Sequence, residues 1–321
     1  MIRSRVERLA DELDDADDVG IDPSEYHYPH PLTRVSRDIK QAAATLSLQE
    51  VRYLVDLYYE AQGYRIAAAN QVRALQRAEP TPEPQSLLVW ANSSFRIVED
   101  EIKKGLDVFS RSEASGLGLW LRSIMGIGPV IAAGLLAHVQ PGEKSTVGQI
   151  WRHAGLDPTV TWERGQKRPW NASLKVLCYK AGESFVKVQG RPADTYGRHY
   201  AARKEIELRR SETGAQAEQA AKYLATGRYK KGTSAHTAYT EGKLPASQIH
   251  ARARRFAVKL FLSHYYEVGY FLAHGELPPV PYVISHLEHT DLIPAPHADL
   301  VPGLAEAQEK RRASISGRRG A

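Results

Sequence analysis

The stretch LGLWLRSIMGIGPVIAAGLLAHV, running from Leu117 to Val139 after Gly116, decides how this chain is read. Apolar residues recur at helical spacing on both sides of Gly126-Ile127-Gly128. The spacing predicts two short helices, Leu117 to Met125 and Pro129 to Val139, joined by a tight hairpin turn. Glycines at 126 and 128 are expected to supply the backbone angles of that turn and to leave no side chain in front of it. Pro129 suits the first turn of the second helix, where a missing N–H costs nothing. Ile127 is expected to point inward, and Ala132, Ala133 and Gly134 to let the two helices approach closely. What remains outside is a loop and a helix start with exposed N–H groups, the chemistry of a phosphate site. The competing reading is an αα-hairpin turn with no ligand.

This order of residues resembles a helix-hairpin-helix motif, which reads nucleic-acid backbone without regard to sequence. The resemblance implies that Gly126, Ile127, Gly128, Pro129 and Val130 contact nucleic acid.

The whole chain is compatible with that. It has 321 residues and a net charge of +6, enough length for two or three domains and a charge balance that favours an anionic partner. Cys178 is its sole cysteine, which excludes a disulfide framework and a thiolate zinc cluster. No apolar run reaches the roughly 18 residues of a membrane span, so no membrane partner is expected. The start of the chain is acidic and lacks the order of a signal peptide, and the expected location is the cytoplasm or the nucleoid.

Working outward from the hairpin, residues 1–31 read as a flexible acidic arm, with Asp11, Glu12, Asp14, Asp15, Asp17 and Asp18 in one run. Residues 32–115 read as a long helical hairpin. Ser47 and Glu50 have the spacing of a capping box, and Leu46 with Val51 that of a hydrophobic staple. The helix they open is expected to reach Arg77. Glu79-Pro-Thr-Pro-Glu-Pro84 breaks it, and a second helix, with Leu87, Ala91, Ser94, Val98, Ile102 and Phe109 in a stripe, runs to about Ser110. Trp90 and Phe95 are assigned to the core. This hairpin is either an arm through which the chain forms a homo-oligomer or a plain helical domain.

Residues 116–190 form the predicted helix-hairpin-helix domain. A short helix, Thr146 to His153, stops at Gly155, and a glycine- and proline-broken loop follows. Arg164, Lys167 and Arg168 lie there between Trp162 and Trp170, a pattern in which cations contact phosphates and an indole stacks on a base or sugar. The two tryptophans equally suit a role in wedging the loop onto the domain. Asn171 is placed to cap a helix toward Lys187, with Lys175 facing the nucleic-acid backbone and Cys178 buried. Residues 191–297 read as a helical basic domain that includes the helix Ser247 to His274. Residues 298–321 read as a disordered basic tail. His264, His274, His286, His289 and His297 lack a zinc-ligand spacing, and no metal site is expected.

The order MGIGPVIAAGLLAHV, a short helix, HAGLDP and a basic loop leading into a helix resembles the C-terminal transposase domain of the bridge-RNA-guided insertion-sequence transposases. The resemblance covers about residues 117–187. It implies DNA exchange guided by a structured RNA, an N-terminal RuvC-like domain with four acidic metal ligands, and a nucleophilic serine after the GLDP-like turn. The departures are specific. Asp22 in VGIDPS resembles the first acidic strand, but no hydrophobic strands follow it. Residues 159–165 contain no serine; Glu163 falls at the nucleophile position, and Thr161 is the nearest hydroxyl, with no evident base. The expectation is a mainly α, multi-helix DNA-binding protein of transposase-like type, tied to DNA transposition or recombination of a mobile element. No cofactor is implied unless the chain is catalytic, in which case Mg²⁺ is. The alternatives are a non-catalytic RNA-binding or DNA-bridging protein and a helical protein-interaction module.

Overall fold

A computed structural model of the protein describes residues 34–78, 86–280 and 292–317. The acidic arm, Asp22, the proline-rich break, His286, His289 and the last residues from Arg318 lie outside the described residues. Among those described there are twelve α-helices and no strand, so the chain is a mainly α protein.

It divides into two compact units. The first takes the described residues up to Ser123, with Ile127–Gln140 and Ala172–Leu177. Helix α1 (Arg37–Ala42) is capped by Ser36 and leads through a 3-10 turn, Ala43–Thr45, into α2 (Leu48–Ala78). The capping box forms as expected: the Glu50 carboxylate accepts from the Ser47 N–H at 2.8 Å, and the Ser47 hydroxyl accepts from the Glu50 N–H at 3.3 Å. Helix α3 (Ser86–Ser112) runs antiparallel to α2, since Ala43 meets Gly105 at one end while Tyr64 stacks on Phe95 at the other.

Val89 is fully buried, and Trp90, expected in the core, is 40% exposed. Position 90 lies about 100° around the helix from position 89, enough to carry the indole off the face that buries Val89.

The hairpin follows as α4 (Leu117–Ser123) and α5 (Pro129–His138). Every residue from Val130 to Ala137 is buried. A helix apolar on all sides belongs inside a core, and α5 packs against both α2 and α3. Gly134 acts differently from expectation. A Cβ at Gly134 would meet Leu177 at 2.7 Å and Val55 at 3.4 Å, so Gly134 admits α2 and the helix that holds Leu177. The close approach involving α4 is made by Gly118, whose Cβ would lie 1.9 Å from the Ser110 carbonyl oxygen.

The second unit comprises Ile124–Gly126, Pro141–Asn171 and the described residues from Cys178. It contains α6 (Val147–His153), most of α7 (Ala172–Val188), α8 (Tyr196–Glu212), α9 (Ala217–Ala225), α10 (Ser234–Thr240), α11 (Ala246–His274) and α12 (Leu304–Gly317). Phe185, Tyr196 and Phe261 form its aromatic centre, with ring centroids 4.8 to 5.3 Å apart. Ala220 of α9, Tyr239 of α10, Leu244 of the following loop and Ile249 of α11 form a satellite cluster.

The expected disordered tail is corrected by α12. Leu304 is fully buried, Gln308 donates to the Glu267 carboxylate at 2.6 Å, and Arg311 binds the Pro278 carbonyl and lies 3.7 Å from Glu267. Polar composition concealed a helix that is tied down by a few well-placed contacts.

Candidate nucleic-acid interface

At the hairpin turn the two glycines have different roles. Gly126 has φ +95°, which L side chains rarely adopt, and its carbonyl accepts from the Ser184 hydroxyl at 2.5 Å. Gly128 has φ −81° and ψ 176°, open to any residue, and nothing lies within 4 Å of the Cβ it lacks. The expectation that both glycines supply special angles is therefore corrected to Gly126 alone. Ile127 is buried, as expected, and Val130 is buried too, so both offer only backbone to the outside.

The turn is braced by a residue the sequence reading passed over. Arg122 donates to the Ile127 carbonyl at 2.7 Å and pairs with Asp107 at 3.0 Å, tying the turn to α3. A cation inside the apolar run Leu117 to Val139 was the available signal. Gly128 is the N-cap of α5 and Pro129 its first residue; no side chain caps this start. Backbone bonding begins where the Ala132 N–H donates to the Gly128 carbonyl at 3.0 Å, which leaves the Val130 and Ile131 N–H groups ahead of the first intrahelical bond. That is the geometry of a helix start able to receive an anion.

The basic loop is folded on itself. Asp157 opens it: its carboxylate accepts from the Thr159 hydroxyl and N–H at 2.7 and 2.9 Å and pairs with Arg152 at 3.3 Å. These Thr159 bonds, helped by Arg152, hold the Asp157 carboxyl below its usual range. The Trp162 indole N–H donates to the Gln166 carbonyl at 2.8 Å across a turn containing Gly165 at φ +96°. Trp162 and Trp170 meet edge to face at 6.5 Å, and the Arg168 guanidinium lies 5.4 Å from the Trp162 ring centre. The Asn171 N–H donates to the His153 carbonyl at 2.9 Å and closes the loop onto α6.

Of the expected contact residues, Trp162, Arg168 and Trp170 are thus brought together, with Arg168 engaged by an aromatic face. Arg164 and Lys167 stand exposed and form no ion pair among the described residues. Lys175 is half-buried on the first turns of α7. Ile127 to Val130 and Lys175 belong to the first unit, and Gly126 and the loop to the second.

Thr161 and Glu163 are exposed, and Asp157 binds Thr159 and Arg152. Among the described residues no three His, Cys, Asp or Glu gather as a metal site, and no helix is long and apolar enough to cross a membrane. No family model, curated protein or solved structure matches this chain.

Proposed function

We propose that this protein binds nucleic acid through the phosphodiester backbone, with DNA as the first partner, and that it works among the DNA-handling proteins of mobile elements. The observation that carries the reading is the pair Arg164 and Lys167, two exposed cations with no ion pair among the described residues, on a loop that Trp162, Arg168 and Trp170 hold in shape. Flexible lysines on a disordered loop lose entropy on binding; cations on a braced loop lose less. The uncapped start of α5 supports the same reading by offering backbone N–H groups to a second phosphate. The link to transposition rests on the resemblance over residues 117–187. The reading includes no catalytic step: among the described residues Thr161 is exposed and makes no side-chain hydrogen bond to a base.

The test is fluorescence anisotropy on a labelled duplex, and on RNA of the same sequence, across several salt concentrations. Lys167→Ala alone is expected to weaken binding to all sequences and to lower the slope of log affinity against log salt by about 0.9. Arg164→Ala with Lys167→Ala is expected to lower it by about one to two. Unchanged affinity and slope in a folded double variant would assign both charges to a solvated face and end the proposal.

A further inference from the structure

Helix α11 carries four cations within two turns, and they divide into two kinds. Arg252 pairs with the buried Glu207 at 3.2 Å, and Arg254 pairs with Glu183 while its guanidinium lies 3.9 Å from the Tyr179 ring centre. These two hold the second unit together. Arg255 and Lys259 have no carboxylate partner among the described residues. Four residues apart, they lie on one face of the helix.

Arg255 is exposed, which makes its lack of a partner ordinary. Lys259 is different. Its ammonium sits 3.9 Å from the Trp151 ring centre, and the Trp151 indole N–H donates to the Lys259 carbonyl at 3.2 Å, so α6 and α11 fix the group in place. Burial pulls the Lys259 ammonium below its ordinary range, Asp157 opposes this, and Arg255 adds to it. Asp157 acts on the ammonium only from a distance: no salt bridge joins them among the described residues, and its carboxylate binds Thr159 and Arg152 instead. An ammonium taken partly out of water costs free energy that an aromatic face returns only in part. An anion seated between the two cations would return the rest.

We propose that Lys259 and Arg255, with Trp151 orienting the ammonium, form a seat for a phosphate group of the nucleic-acid backbone. Phosphate fits because it accepts from a point-charge ammonium and a guanidinium at once, and two cations outweigh a single carboxylate ligand. The seat stands on its own geometry; that its phosphate belongs to nucleic acid rests on the proposed function above.

The experiment uses the full chain and two probes, tripolyphosphate followed by calorimetry at low salt and a labelled duplex followed by anisotropy across salt. Lys259→Met keeps the aliphatic stem over Trp151 and removes the charge; Lys259→Arg returns the charge. The Met variant is expected to bind both probes more weakly, the duplex by roughly threefold to tenfold with a slope lower by about 0.9, and the Arg variant to recover most of the loss. If the wild type binds duplex and a folded Lys259→Met binds it and tripolyphosphate unchanged, the seat is wrong while nucleic-acid binding stands. If tripolyphosphate binds in a Lys259-dependent way and neither duplex nor RNA binds, the seat stands and the nucleic-acid reading falls. If the wild type binds neither probe, both are overturned. Should Lys259→Met unfold by circular dichroism, Arg255→Gln, at an exposed side chain, reads the same seat with the same outcomes.

Discussion

At Gly118 a Cβ would come within 1.9 Å of the Ser110 carbonyl oxygen, and at Gly128 it would meet nothing within 4 Å. The first neighbour is backbone and cannot rotate away, so Gly118→Ala is expected to destabilise the first unit by about 1–3 kcal/mol, the usual cost of overpacking. Gly128→Asp has the opposite profile. Position 128 is the N-cap of α5, where aspartate is a better residue than glycine by a few tenths of a kcal/mol, so thermal stability should hold or rise slightly. The same carboxylate occupies the approach to the Val130 and Ile131 N–H groups and repels phosphate, so DNA affinity should fall substantially. Thermal unfolding beside anisotropy separates the two effects; a Gly128→Asp protein with wild-type affinity for DNA and RNA would leave the αα-hairpin without a ligand. His264 supplies a pH signature. The Tyr196 hydroxyl donates to its Nδ1 at 2.8 Å and its Nε2 donates to the Ile293 carbonyl at 2.9 Å, which suits a neutral ring. Burial, opposed by the Ile293 bond and aided by His199, holds its pKa down to about 4 from an ordinary 6.5. Between those values the unfolded chain binds the proton and the folded one does not. The stability contributed is therefore complete above pH 6.5 and is lost as pH falls toward 4, on the order of 3 kcal/mol in all. Urea unfolding at pH 7.5 and 4.5 should show the loss, and His264→Gln should flatten it; an equal slope in both proteins would mean that His264 does not carry it.

Helix α1 shows how one side chain can hold an element. None of its residues, Arg37 to Ala42, is buried, yet Lys40 reaches the Glu101 carboxylate of α3 at 2.7 Å. Arg34 and Lys104 meet the same group at 3.0 and 2.9 Å. Burial acts to raise the Glu101 carboxyl, but these three donors outweigh it and hold the pKa down to about 2. With an ordinary value of 4.5, this contribution is present above pH 4.5 and fades as pH falls through 2. Glu101→Gln is expected to raise amide hydrogen exchange along α1 while α2 and α3 keep their protection, because only α1 depends on the shared carboxylate. Equal protection of α1 in both proteins would show that Ala43 packing suffices. The sequence made the long elements legible for a local reason. Ser47 and Glu50 sit three residues apart, and apolar residues repeat at the helical period, so both the start and the length of α2 could be read within a few turns of chain. The contacts of Glu101 span up to 67 residues, and no local pattern announces them. The same limit hid the hold of Trp151 on Lys259 across 108 residues, whereas that of Arg122 on Ile127 spans only five and was signalled by a cation in an apolar run. In the basic loop the residue types were legible but not their division of labour, since only folding sets Arg168 against Trp162 and leaves Lys167 outside.

For the whole molecule, the formal charge of +6 from 43 basic and 37 acidic residues is modest, so attraction to a polyanion depends on which cations are already paired. Arg65, Arg122, Arg203, Arg252 and Arg254 are bound to carboxylates within their own units. The C-terminal segment tests this distinction most directly. A basic tail that merely attracts DNA could be removed with no change in folding and a lower affinity. Helix α12 instead inserts Leu304 and sets Gln308 and Arg311 against the buried Glu267. Removing residues 304–321 exposes the site of a buried leucine, worth about 1.5–3 kcal/mol, and takes Gln308 and Arg311 from Glu267, leaving it the Ala295 N–H. The second unit's unfolding midpoint is expected to fall by about 4–10 °C, at roughly 2–4 °C per kcal/mol for a unit of this size. Arg311→Ala alone, which keeps Leu304 in place, should give a smaller drop. Calorimetry on the truncated and full chains decides the matter: an unchanged midpoint with weaker DNA binding would restore the tail as a disordered cationic extension and remove α12 from the fold.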